Sequence, residues 1–148
     1  MEVAALIISI LALILSAVVA IVEYIRDYKI TKINVEFEFY RDIYKKYLTS
    51  TIPNARGLMF IDQNGKLQDA DHLVEALCAM RRDSMYFMYN NKTFYKDIKK
   101  KIQELEDLLV KSGDSVFDAQ DKVEFEQNVQ KRLEGIYALI SNAYCGRL

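Results

Sequence analysis

The chain has 148 residues, half of them hydrophobic, and its 20 Lys and Arg against 21 Asp and Glu leave a net charge of −1. That balance excludes a bulk field of the kind that draws a whole protein onto nucleic acid, so any such site is a local patch. One proline, five glycines and no repeat or low-complexity tract favour long helices with few breaks.

The first element is Val3 to Val22, a run of Val, Ala, Leu, Ile and Ser with no charge, Gly or Pro. About 20 residues rising 1.5 Å each span the ~30 Å hydrocarbon core of a bilayer. A soluble helix needs a polar face, and this one offers only two serines. A cleaved signal peptide is the rival reading, because Val18 and Ala20 suit a peptidase site. Against it, the segment opens on Met-Glu rather than a basic stretch, and its apolar run is longer than such signals carry. The run reads as a retained transmembrane helix.

Its polar residues are not scattered. Ser9, Ser16 and Glu23 lie seven apart, and Glu2 extends the series backwards. A seven-residue step returns to nearly the same helix face, drifting by ~20°. Ala5, Ala12 and Ala20 run beside the line as a face of small residues. One reading is helix packing, in which small residues let backbones approach and serines hydrogen-bond across. The other is a pore with rings of Ser9 and Ser16 and a Glu23 ring at one mouth. Both need several copies of a chain with a single span. Glu23 tilts the reading toward the pore, since packed carboxylates repel unless hydrated or countered by Arg26.

The flanks set an orientation. Almost nothing precedes Val3, whereas Arg26, Lys29, Lys32, Arg41, Lys45 and Lys46 follow the span. Excess Lys and Arg marks the cytoplasmic side, and Tyr24 and Tyr28 fall where interfacial aromatics sit. Cys78 and Cys145 lack metal or redox spacing, in keeping with a reducing compartment. The expected organisation is a transmembrane helix over residues 1–23 and a cytoplasmic helical domain over 24–148. The N-terminus is expected on the outer side of the membrane and the body in the cytoplasm.

Beyond the span, Ile33, Phe37, Tyr40, Tyr44 and Tyr47 keep helical spacing, so the helix is expected to continue to about Thr49. Pro53 is expected to stop it and to open a short turn through Arg56. Leu58 to Asp62 followed by Asn64-Gly65 suggests half of a small hairpin. A helix capped by Asp69 or Asp71 runs to about Tyr89, with Leu73, Leu77, Met80, Phe87 and Met88 on its apolar side. Asn90-Asn91 breaks the pattern, and Thr93 is the expected cap of a third helix. Phe94, Ile98, Ile102, Leu105 and Leu109 stripe that helix, which Gly113 ends. A last helix from about Asp118 to Tyr144 carries Val123, Val129, Leu133, Ile136 and Ile140. The fold class is all-α: one transmembrane helix continuing into a cytoplasmic helical bundle.

Chemistry is sparse. His72 is the sole histidine and has no nucleophile in any recognised pattern. There is no phosphate-cradling glycine loop and no metal-spaced Cys/His set, so no catalytic residue, metal or cofactor is expected. Glu104, Glu106 and Asp107 follow Lys99, Lys100 and Lys101 at distances that suit intrahelical pairs, and read as a solvated face. Lys99–Lys101 otherwise offers charge to phosphates. Arg81, beside Arg82, shares a face with Leu77, Cys78 and Met85, so it is partly buried and needs a partner. That partner is a carboxylate such as Asp83 or Glu75, or a phosphate-bearing ligand held bidentately.

The short uncharged span together with IPNAR (52–56), NGKL (64–67), MRRDSMYF (80–87) and KTFY (92–95) resembles small bacterial single-pass membrane effectors of antiphage defence. The Hailong effector and the accessory membrane protein of type VI CRISPR systems are examples. The resemblance implies a homo-oligomeric pore that depolarises an infected cell, gated through the cytoplasmic domain by a nucleic-acid signal or a partner protein. The Arg-x4-6-His signature of HEPN ribonucleases, discussed for some of these proteins, cannot be formed around His72. The partners expected are the lipid bilayer, further copies of the chain, and that signal or partner. The runner-up is a non-conducting anchor that recruits a cytoplasmic partner.

Overall fold

A computed structural model describes residues 2–145, with Glu2, Ala4 and Ala5 described by backbone alone. The extension of the polar line to Glu2 and the Ala5 member of the small face therefore lie outside the described side chains. Among the described residues the fold is all-α apart from one two-stranded ribbon. Helix α1 spans Glu2–Ile43, and a π-helical segment, Tyr44–Thr51, leads from it into α2, Ile52–Leu58. Strands β1 (Phe60–Ile61) and β2 (Leu67–Gln68) pair antiparallel, and α3 (Ala70–Asp83), α4 (Tyr86–Asn90), α5 (Lys92–Gly113) and α6 (Ala119–Cys145) follow. The chain divides into two compact units, Met1–Phe37 and Glu38–Leu148.

The first unit holds an 18-residue stretch with mean hydropathy 2.8, none of it buried in the chain's own fold. The second unit has a continuous core. Its largest fully buried side chains include Tyr40, Tyr47, Phe87, Leu73, Ile102, Leu105 and Ile136. Tyr40, Phe87 and Phe94 meet there as an aromatic cluster with ring centroids 4.4–4.8 Å apart. Offset and edge-on geometries of this kind add to the energy of area burial.

Pro53 does not end the helical run. It occupies the first turn of α2, where its missing N–H is tolerated. The cost appears upstream, as a change of hydrogen-bond step. The Ile52 N–H donates to the carbonyl of Tyr47, five residues back, and the Thr51 hydroxyl donates to that of Lys46. In this register the Leu48 carbonyl would pair with residue 53, which has no N–H to give. The Tyr137 hydroxyl of α6 donates to it instead, at 2.8 Å. A proline that would stop an isolated helix is thus absorbed by a π segment and one long-range hydrogen bond.

The hairpin forms as its turn signal suggests, with Phe60 opposite Gln68 and Ile61 opposite Leu67. The Asp62 carboxylate accepts from the N–H groups of Asn64 and Lys66, which closes the turn. Gly65 has φ +75°, and a Cβ there would lie 2.4 Å from the Phe117 carbonyl oxygen, so only glycine fits. Two caps differ from expectation. Asp69 stands before α3 in a left-handed conformation without a capping side-chain bond, and Asn91, not Thr93, caps α5 by accepting from the Phe94 N–H. Asn91 wins because it lies three residues before that N–H, the position from which a capping oxygen reaches it. The helix expected to run to Tyr89 breaks after Asp83, where the Ser84 N–H and hydroxyl both turn back to the Met80 carbonyl. Asp118 caps α6 through the Gln120 and Asp121 N–H groups.

Candidate functional site

Three groups of side chains bear on function: the polar line of α1 and two charged clusters in the Glu38–Leu148 unit. Ser9, Ser16 and Glu23 all lie exposed on α1. The Ser16 hydroxyl donates to the Ala12 carbonyl, four residues back, at 2.9 Å. Such back-bonding satisfies the hydroxyl within one helix. Around the line, thirteen Val, Leu and Ile side chains from Val3 to Val22 are all 48% exposed or more. Removing such side chains from water is worth on the order of 20 kcal/mol in total, so the segment is unstable in water unless something outside its own chain covers it.

The first charged cluster joins the π segment to the end of α3. Lys46 Nζ and the Tyr47 hydroxyl both donate to Asp83 Oδ2, at 2.6 and 2.5 Å. Lys46 and then Tyr47 hold the Asp83 carboxyl below its ordinary range, and the same contact with Asp83 raises the Lys46 ammonium. Burial, reinforced by Asp83, pushes the Tyr47 phenol up. A groove of about 400 Å³ opens beside this cluster, walled by Phe39, Asp42 and Ile43. Phe39 stacks on Tyr86 with centroids 3.7 Å apart. With carboxylates on two sides, the one cation among its described lining residues, Lys46, is engaged by Asp83.

The second cluster answers the question of Arg81. Its partner is Glu106 of α5, at 2.8 Å from Arg81 Nη1, in place of the expected Asp83 or Glu75. Glu106 also accepts from the Cys78 thiol, and that contact, with burial, raises the thiol's pKa. The Glu106 side chain is only 12% exposed, so it leaves the solvated face assigned to it from the sequence. It lies one helical turn from Ile102 and next to Leu105, both fully buried. Arg82 is exposed and lies 3.8 Å from its neighbour Asp83.

The lysine run is divided by the helical turn. Lys99 and Lys100 are exposed, and Lys100 approaches Glu104 at 3.9 Å. Lys101 instead turns toward α6, so close that a Cβ on Gly135 would stand 3.1 Å from its Nζ. There it shares a cavity with Lys131 and Arg132, and Arg132 reaches Glu104 at 3.7 Å. The structure therefore gives Arg81 a carboxylate partner in Glu106 and joins Lys101 to two cations the sequence reading passed over. A glycine inside an otherwise unbroken helix was the available signal. Among the described residues no three His, Cys, Asp or Glu side chains are grouped to hold a metal. Comparison with protein-family models, curated proteins and solved structures finds no match to this chain.

Proposed function

We propose that the chain is a single-pass membrane protein that assembles with copies of itself into an ion-conducting channel, with the Glu38–Leu148 unit as its regulatory domain. One observation carries the reading: α1 holds a bilayer-length apolar surface that nothing in its own chain covers, crossed by a single polar line. Lipid covers the apolar part, and the line of Ser9, Ser16 and Glu23 gives the helices a common inner face. A seven-residue spacing suits a left-handed bundle. The basic residues after Val22 support a cytoplasmic body. Antiphage defence is the setting that the resemblance of the motifs implies, with a nucleic-acid signal or partner as the gating input.

A non-conducting anchor that recruits a cytoplasmic partner is the second reading. The Ser16 bond to Ala12 favours it, because a hydroxyl satisfied within its helix packs against a neighbour without water. Ion flux from liposomes holding the purified protein separates the two. The channel reading expects flux that Ser9→Leu/Ser16→Leu abolishes while the protein still assembles, and a Glu23→Lys reversal potential shifted toward anions. Assembly without flux in the wild type, or full flux in the double variant, overturns it.

A further inference from the structure

We infer that the cavity between α5 and α6, framed by Lys101, Lys131 and Arg132, is a binding site for a phosphate group. The cavity measures about 330 Å³, and among its described lining residues Glu104 is the one carboxylate against those three cations. Residues 101 and 104 of α5 share one helical face, as do 128, 131 and 135 of α6, so both helices aim their side chains into one space.

Two observations mark it as more than a charged surface. Lys101 is half-buried, and neither it nor Lys131 has an ion-pair partner among the described residues, while Glu104 is shared by Lys100 and Arg132. A partly desolvated ammonium without a counter-charge is unfavourable in the empty protein and favourable once an anion arrives. The second observation is Gly135. Glycine inside a helix is less stable than alanine, yet here a Cβ would stand 3.1 Å from the Lys101 ammonium and press it from its place by a few tenths of an ångström. A helix weakened at the one position that admits a cation fits a recess shaped for a ligand.

The charge surplus and donor types select phosphate over a neutral ligand. Two ammonium groups supply point charges, the Arg132 guanidinium supplies a planar fork, and the Asn128 amide can donate to a further oxygen. Asn128 and Lys131 also line the groove that continues along α6 toward Gln120, which gives the organic part of a phosphate ester a place to lie. The inference rests on reading this unit as the regulatory domain and identifies the chemistry of its input. It does not depend on conduction.

The test is calorimetric titration of the full chain in nonionic detergent with sodium pyrophosphate at low salt. The wild type should bind, less tightly as salt rises. Lys101→Gln/Lys131→Gln removes two charge-assisted bonds and should weaken binding at least about tenfold. The control Lys99→Gln/Lys122→Gln removes equal charge elsewhere and should stay within about twofold. Gly135→Ala should raise the melting temperature and weaken binding together, a pairing that a purely structural glycine does not give. Phosphatidylglycerol vesicles that displace pyrophosphate from the wild type identify the source of the phosphate as a lipid headgroup; vesicles that fail to compete leave a soluble ester. No pyrophosphate binding by the wild type, or equal losses in the two double variants, overturns the site whether or not the protein conducts.

Discussion

Between Val3 and Val22 every Val, Leu and Ile is 48% exposed or more, whereas Leu73, Leu77, Ile102, Leu105 and Ile136 of the Glu38–Leu148 unit are at 0%. The residue types are the same in both units. What differs is the pattern around them. In α5 the apolar positions recur at three- and four-residue steps between Lys, Glu and Asp, which gives one seam to bury and one face for water. In the first part of α1 apolar residues surround the whole helix apart from the line of Ser9, Ser16 and Glu23. Such a surface cannot be satisfied by one seam. A stripe is covered by the chain's own neighbouring helices, whereas the all-round surface of α1 is left uncovered by its own chain.

Substitution sharpens this contrast from opposite sides. Leu105→Ala removes a fully buried side chain from the body and should destabilise it by about 3–4 kcal/mol, read by denaturant unfolding, with membrane association unchanged. Leu13→Arg, at the middle of the span, should disfavour bilayer insertion by about 3 kcal/mol and shift the protein out of the membrane fraction. The melting temperature of the body should not move, because Leu13 is exposed and is no member of that core. A Leu13→Arg chain that stays in the membrane, or a body that unfolds with it, would erase the distinction between the two surfaces.

The π segment gives an effect of intermediate size. Tyr137→Phe strands the Leu48 carbonyl, which Pro53 cannot serve, and should cost about 1–2 kcal/mol. In a Pro53→Ala background a new N–H is available to that carbonyl, so the same substitution should cost distinctly less. The coupling between the two sites, measured by a double-mutant cycle, should therefore be nonzero. Additive effects would mean that the tyrosine does not stand in for the missing donor.

The smallest effect belongs to Asp83. Asp83→Asn weakens its bonds to Lys46 and Tyr47, and the loss at pH 7 should be about 1 kcal/mol, reduced by partial exposure. The folded-state pKa is depressed below the ordinary 3.8. Its stabilisation is thus complete above that value and is lost as pH falls through the folded pKa. Melting curves of wild type and variant should differ at neutral pH and converge in acid well below pH 3.8. A gap that widens toward low pH would assign the depressed pKa to the wrong group.

Much of this fold was legible because local rules and packing agree. The stripe from Phe94 to Leu109, the stop at Gly113, the helix start near Asp118 and the turn at Asn64-Gly65 each appear where their chemistry requires. Some disagreements are local, as at Asn91 and Ser84, but two arise where a distant residue intervenes. Pro53 carries a strong local stop signal, but Tyr137, 84 positions away in sequence, supplies the missing donor, and no local window contains both. Glu106 looks like its solvated neighbours until α3 brings Arg81 and Cys78 against it. The basic cavity was half visible: the Lys99–Lys101 run is conspicuous, but only the packing of α5 on α6 selects Lys101 and adds Lys131 and Arg132.

The most direct test of the central claim is electron paramagnetic resonance accessibility of spin labels placed singly along α1, in bilayers, with Cys78 and Cys145 replaced. Labels at Ser9 and Ser16 are compared with labels at Leu11 and Val18, which lie two residues on and about 200° around the helix. The account predicts that Leu11 and Val18 collide with lipid-dissolved oxygen and are shielded from a water-soluble nickel chelate, while Ser9 and Ser16 show the reverse. Nickel access at all four positions would mean that the helix is not in a membrane. Shielding of Ser9 and Ser16 from the chelate would mean that the polar line is buried helix packing and that no water-filled path exists.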